Sequence, residues 1–165
     1  MSIEFQEVSK SFGTRQVLDR ISFQVATGEI LFILGRSGVG KSVTLKHIVG
    51  LLHPDSGQVC VDGKVVQTLG PAELAQVRRS CGMVFQQAAL LDSLTVFDNV
   101  AFSLRGCQET RQEPRQKPSH REVVIEKLSW VHLGPEIIGQ YPTEISYGMR
   151  KRVSIARTLA QEPRY

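Results

Sequence analysis

An α/β fold built around a phosphate-binding loop is what this sequence predicts, and three adjoining observations predict it. Residues 35–42 read Gly35-Arg36-Ser37-Gly38-Val39-Gly40-Lys41-Ser42, the complete Gly-x-x-x-x-Gly-Lys-Ser pattern of a P-loop. Before it, Glu29-Ile30-Leu31-Phe32-Ile33-Leu34 is a short apolar run of the kind that forms a buried parallel strand. After it, Leu45, Ile48, Val49 and Leu52 recur at the spacing of one helical face. Glycines let the backbone turn tightly with its N–H groups aimed at a phosphate chain, and the following helix N-terminus adds partial positive charge. Lys41 is then placed to reach the β- and γ-phosphates, and Ser42 to set its hydroxyl on Mg²⁺. The chain reads as nucleotide-binding.

The remaining elements follow in order. Ile3, Phe5 and Val8, then Val17, Ile21, Phe23 and Val25, predict two strands with a turn at Ser11-Phe12-Gly13. Pro54-Asp55-Ser56-Gly57 predicts a turn, 58–61 a strand, and Asp62-Gly63 a hairpin. Pro71 opens a helix, since proline is favoured in a first turn where its missing N–H would be unpaired anyway. Residues 80–85 read as a further core strand, and the polar stretch 106–119, with Pro114 and Pro118, as an exposed loop. Beyond it, Val124, Leu128 and Val131 mark one amphipathic helix. Val153, Ala156 and Ala160, with Ile155 and Leu159 alongside, mark another. A strand-rich part over about 1–85 and a helical part over about 86–165 are expected within one unit.

Composition narrows the class. The chain has 165 residues, 41% hydrophobic and 22% charged, the balance of a globular domain able to bury a core. No apolar stretch approaches the roughly 20 residues that span a bilayer, and the start lacks the basic and apolar regions of a signal peptide. Cys60, Cys81 and Cys107 are scattered, which predicts reduced thiols rather than disulfides or a zinc site. The four histidines show no ligand spacing and read as surface or helix-end residues. A net charge of +4 permits contact with nucleic acid or a membrane surface without requiring either. Part of that excess is the run Arg150-Lys151-Arg152, which no aromatic residues interleave, so it reads as a solvated helix face.

Further segments specify the P-loop class. Phe12 closes Ser9-Lys10-Ser11-Phe12-Gly13. Val84-Phe85-Gln86 leads into Leu90-Leu91-Asp92-Ser93-Leu94-Thr95. Ile145-Ser146-Tyr147-Gly148-Met149 precedes Arg150-Lys151-Arg152. In this order the motifs resemble the nucleotide-binding subunit of ATP-binding cassette (ABC) transporters along essentially the whole chain. The resemblance implies a P-loop cassette with a mixed sheet core, an antiparallel β portion and a helical subdomain. It implies ATP and Mg²⁺ as ligands. Phe12 would stack on adenine, although strand-edge packing would also explain it. Gln86 would touch Mg²⁺ and the attacking water, with Gln87 as its competitor. Ser146 and Gly148, at a helix start, would face the nucleotide of a second subunit.

The same resemblance implies a homodimeric sandwich with ATP between P-loop and signature, a transmembrane permease partner, and a peripheral position on the cytoplasmic face of the cell membrane. No nucleic acid is expected. Gln86–Phe102, Met149 and the wording of the P-loop are similar to ATPase subunits of MCE-type lipid transporters, the organic-solvent-resistance group. Tyr147 departs from the family, which carries glycine there. The family also continues beyond Glu162-Pro163-Arg164-Tyr165 into an apolar strand ending in Asp-Glu and later a histidine, none of which this sequence contains. The expectation is therefore the front part of a cassette, binding ATP and barely hydrolysing it. The rival readings are a non-transport ABC protein acting on nucleic acid or ribosomes, and an inactive fragment.

Overall fold

The computed structural model describes residues 2–104 and 119–165. They form two compact units, Met1–Cys81 and Gly82–Tyr165. Of the stretch read as an exposed loop, 106–119, all but Ser119 lies outside the described residues, including Cys107, Arg111, Arg115 and Lys117.

The first unit is built on a four-stranded antiparallel sheet. Strands β1 (Ser2–Phe12), β2 (Arg15–Ala26), β3 (Ser56–Val61) and β4 (Lys64–Val65) lie in the order β2-β1-β3-β4. Alternation places Ile3 and Phe5 of β1 in the core, a register shift after Phe5 brings Val8 in as well, and Phe5 stands opposite both Phe23 and Val59. The Phe5 and Phe23 rings stack with centroids 4.5 Å apart. Two residues break the alternation by entering left-handed backbone, Glu7 at φ 50° and Arg20 at φ 43°. Their amides leave the ladder and are taken up by serine hydroxyls: Glu7 N–H donates to Ser22 Oγ and Arg20 N–H to Ser9 Oγ. Such bulges twist a strand while keeping its polar groups satisfied.

The turns fall close to where the sequence placed them. Gly13-Thr14 joins β1 to β2, one residue later than predicted, so that Phe12 and Arg15 are cross-strand partners. Asp62 and Gly63 both have positive φ, the requirement of a two-residue hairpin between β3 and β4. Asp55 fastens the preceding turn to β1, accepting from Lys10 Nζ at 2.6 Å and Ser11 N–H at 2.7 Å. Those two contacts hold its carboxyl below the usual carboxylate range.

Helices α1 (Lys41–Ile48) and α2 (Pro71–Ser80) complete the unit. Arg78 of α2 donates to the carbonyls of Val49 and Gly50, placing a cation at the C-terminal end of α1 where the helix dipole favours one.

Three expectations are corrected here. Residues 29–34 are not a strand; they join no sheet ladder, and Ile30, Phe32 and Leu34 are 80%, 76% and 86% exposed. Residues 80–85 are not a strand either: Ser80 ends α2, and Val84 and Phe85 are exposed. A parallel strand exists only through its neighbours, and every ladder among the described residues is antiparallel and excludes both runs. The third correction concerns part of the predicted helical face: Val49 is buried and Ile48 and Leu52 half-buried as expected, but Leu45 is not. Thr44 and His47 are its buried residues and Leu45 is exposed, because β3 is the element against which α1 packs.

The second unit is a helical cluster of α3 (Val96–Phe102), α4 (His120–Trp130) and α5 (Tyr147–Leu159). Its core joins Val96 and Val100, Val124 and Leu128, and Val153 and Ala156, all fully buried. Both predicted amphipathic faces are present. Each helix starts on a hydroxyl cap: Thr95 accepts from Asp98 N–H, Ser119 from Glu122 N–H and Ser146 from Met149 N–H. Before α3, residues 91–95 are folded around the buried Asn99 side chain. Its amide accepts from Leu91 N–H and donates to the carbonyls of Leu91, Leu94 and Thr95. No described helix is long and apolar enough to cross a membrane.

Candidate nucleotide-binding site

The P-loop leaves β2 through a turn in which Gly28 has φ +84° and Glu29 pairs with the backbone of Ala26. It ends on Gly40, the residue before α1. Gly35, Gly38 and Gly40 have φ of 155°, 80° and 107°. At Gly40 the backbone also runs too close to β2 for a side chain. A Cβ there would stand 3.0 Å from Leu18 Cδ2 and Val17 Cγ1 and 3.1 Å from the Val17 carbonyl. The repeated left-handed geometry curls the loop, as glycine permits and other residues resist.

Lys41 folds back over this curl. Its Nζ donates to the carbonyls of Gly35 and Arg36, each at 2.7 Å, so the cation sits over the loop. Ser42 is exposed in the first turn of α1. Arg36, Ser37 and Val39 are likewise exposed along the loop. Beside them an open groove is lined by Leu18, Phe23, Leu31, Ile33 and Val39. At the hairpin tip Phe12 is 47% exposed, with Lys10 Nζ 5.7 Å from its ring centroid. Phe12 and the P-loop therefore both belong to the first unit, one on the β1–β2 hairpin and one after β2.

His47 was missed as a core residue. It is 1% exposed, its Nδ1 lies 2.7 Å from the Val43 carbonyl, and its Nε2 is buried without a hydrogen-bond partner. Burial pushes its imidazole below the ordinary value. Helical periodicity in the sequence counts apolar residues, so a histidine filling a core position gave no signal. Arg15 was missed as well: its Nη2 donates to the Gly38 carbonyl at 3.1 Å.

The other predicted site residues belong to the second unit. Gln86 and Gln87 are both exposed in an irregular segment. Nearby, Ala89 takes φ 47° and its carbonyl accepts from Arg157 of α5 at 2.9 Å, which anchors that segment to the helical core. Burial pushes the Arg157 guanidinium below its ordinary value. Ser146 caps α5, and Gly148 follows in its first turn with open space where a Cβ would stand. Tyr147 adopts ordinary helical backbone; Lys151 Nζ lies 4.9 Å and Arg150 Cζ 5.9 Å from its ring centroid. The basic run is not wholly a solvated face, since Arg152 donates to the His132 carbonyl at 2.9 Å and Arg150 Nε is buried.

A curled glycine loop with a lysine over it, opening a helix, defines a P-loop protein, and comparison with known proteins names the group within that class. Residues 18–165 match the family described as ABC transporter, and the chain belongs to that family. It is 39% identical over 164 residues to the probable ribonucleotide transport ATP-binding protein mkl of Mycobacterium bovis, covering 99% of this chain and 44% of that one. It is 40% identical over 164 residues to the sulfate/thiosulfate import ATP-binding protein CysA of Rhodopseudomonas palustris, covering 99% and 45%. The chain thus spans less than half the length of these curated relatives. Among solved structures, a dimeric ATP-binding cassette in a post-hydrolysis state with ADP and Pi superposes with a TM-score of 0.84 at 31% identity. That match covers 98% of this chain and 70% of that one. The fold is accordingly that of an ABC cassette, formed here over its antiparallel sheet and helical parts.

Proposed function

We propose that this chain is the ATP-binding part of an ABC transporter subunit, whose binding and hydrolysis of ATP drive an attached membrane permease from the cytoplasmic face. The observation that carries the reading is the P-loop itself: three positive-φ glycines curl the backbone, and Lys41 Nζ rests on the Gly35 and Arg36 carbonyls. Those carbonyl contacts mark where a phosphate oxygen of higher charge would replace them, because charge-assisted bonds are about twice as strong as neutral ones. Lys41 would neutralise the β- and γ-phosphates, and the N–H groups at the start of α1 would hold them.

The donor set fits Mg²⁺ held chiefly by the substrate. Ser42 offers a hydroxyl at the helix start, and the described residues contain no cluster of His, Cys, Asp and Glu that would bind a metal without phosphate. When bound, the ion supplies positive charge that stabilises phosphoryl transfer. Gln86 is a neutral amide that orients water without adding negative charge beside a triphosphate. Phe12, exposed at the hairpin tip, offers a ring face for stacking on the base. Ser146 and Gly148, on the first turn of α5, serve the nucleotide of a second copy in a two-fold sandwich, as the unobstructed space at Gly148 allows. The dimeric state of the solved cassette supports that arrangement.

The finer reading is an MCE-type lipid transporter ATPase, supported by the wording of residues 86–102 and by Met149. The relatives' names supply the competing cargoes, ribonucleotide and sulfate or thiosulfate. Titration of the chain with ATP in the presence of Mg²⁺ tests the core of the proposal, with Lys41→Ala as its control. Affinity in the parent chain, weakened at least about tenfold by the substitution, is expected from the loss of a charged contact. Equal affinity in the two folded proteins would overturn the assignment.

A further inference from the structure

We propose that Arg15 is a positioning residue of the phosphate loop, holding the Gly38–Val39 peptide in the orientation that receives a triphosphate. The inference rests on the ATP-binding reading above. Arg15 opens β2 directly opposite Phe12, across the Gly13-Thr14 turn, so the hairpin that offers an aromatic face also delivers a guanidinium. From there its Nη2 donates to the Gly38 carbonyl at 3.1 Å.

The consequence follows from peptide geometry. The described chain contains no cis peptide bond, and in a planar trans peptide the carbonyl and the next N–H point to opposite sides. With the Gly38 carbonyl turned to Arg15, the Val39 N–H is aimed away from the hairpin. Gly38 sits at φ +80°, a backbone region where glycine has little steric preference and the peptide plane can turn over at small cost. Lys41 anchors the loop at Gly35 and Arg36, upstream of this peptide. Arg15 supplies the corresponding anchor at Gly38. A guanidinium is well suited to holding a carbonyl in place, because it is permanently charged, planar and presents five donors in a fixed fork. Lysine keeps the charge without the fork. Arg15 is itself exposed, so its replacement leaves the core of the unit intact.

The test compares the parent chain with Arg15→Ala and Arg15→Lys, each ¹⁵N-labelled and titrated with ATP, ADP and adenosine. Arg15→Ala is expected to weaken ATP and ADP about fivefold alike, the effect of one lost charged hydrogen bond partly screened by water. Adenosine, which has no phosphate, is expected to bind as it does to the parent. The Val39 amide resonance is expected to move in nucleotide-free Arg15→Ala, and Arg15→Lys to recover part of both effects. Unchanged ATP and ADP affinity would overturn the proposal. So would an equal loss for adenosine, which would assign Arg15 to the base-binding hairpin. A loss with the Val39 amide unmoved would make Arg15 a direct phosphate ligand and overturn the positioning role. Failure of the parent chain to bind ATP would instead overturn the ATP-binding reading, and this inference with it.

Discussion

Replacing Gly40 by alanine tests how the loop geometry and the strand beneath it depend on one another. Gly40 has φ 107° and ψ 0°, well outside the left-handed minimum near φ +57° that an alanine tolerates at some cost. Holding an alanine there costs about 1–3 kcal/mol in backbone strain. The methyl group adds a second cost. It would stand 3.0 Å from Val17 Cγ1 and Leu18 Cδ2 and 3.1 Å from the Val17 carbonyl. Leu18 is buried and Val17 O belongs to a strand, so neither yields freely. Overpacking of this kind costs about 1–3 kcal/mol, giving a total of about 2–6 kcal/mol if the loop stays in place. The loop joins no ladder whereas β2 is held by its pairing with β1, so the loop yields, and the strain is relieved at the expense of the phosphate cradle. Gly28→Ala is the matched control, with φ +84° and nothing within 4 Å of the added carbon. Urea unfolding and ATP titration read the two variants together. Gly40→Ala is expected to lose at least about 1 kcal/mol of stability and more than about tenfold in ATP affinity. Gly28→Ala is expected to lose a similar backbone increment and no affinity. Parent-like affinity in Gly40→Ala would falsify the argument that β2 and the loop are in register at this carbon.

The remaining predictions concern both units. Burial holds the folded-state pKa of His47 below its ordinary 6.5, so the unfolded chain takes up the proton first as pH falls. Stability is therefore expected to decline as pH drops below about 6.5, and His47→Gln to flatten the dependence of the urea midpoint between pH 7.5 and 5.5; an unaltered slope would remove His47 as its source. Asn99→Ala strips four backbone partners from residues 91–95 at a fully buried position and is expected to cost about 3 kcal/mol. Thermal unfolding followed by circular dichroism measures it, and a loss under about 1 kcal/mol would mean that segment is held elsewhere. Ser146→Ala is expected to lose about 1 kcal/mol of helix capping. Ser146→Arg is expected to abolish ATP-dependent pairing of two copies in sedimentation while monomer ATP affinity stays within about twofold; undiminished pairing would remove Ser146 from the interface between subunits.

Much of the local structure was already decided by the sequence, because the forces involved act over a few residues. The P-loop's glycines, the Asp62-Gly63 hairpin and the proline-started α2 are dictated by which φ each residue tolerates. The faces of α4 and α5 are dictated by apolar spacing, and Val124, Leu128, Val153 and Ala156 are buried as that spacing required. The residues of the candidate site were legible for the same reason: Gly35–Ser42 is contiguous, and its wording is its geometry. What only the tertiary structure decided is what depends on partners far away in the chain. The run Ile30–Leu34 has the composition of a buried strand, yet burial and pairing belong to whatever lies beside it, and the described residues place no strand there. The buried face of α1 turned on its packing against β3, which put Thr44 and His47 inside and Leu45 outside. Arg15 became a neighbour of Gly38 only because an antiparallel hairpin folded its tip back to the loop, an approach across 23 positions that no spacing rule encodes.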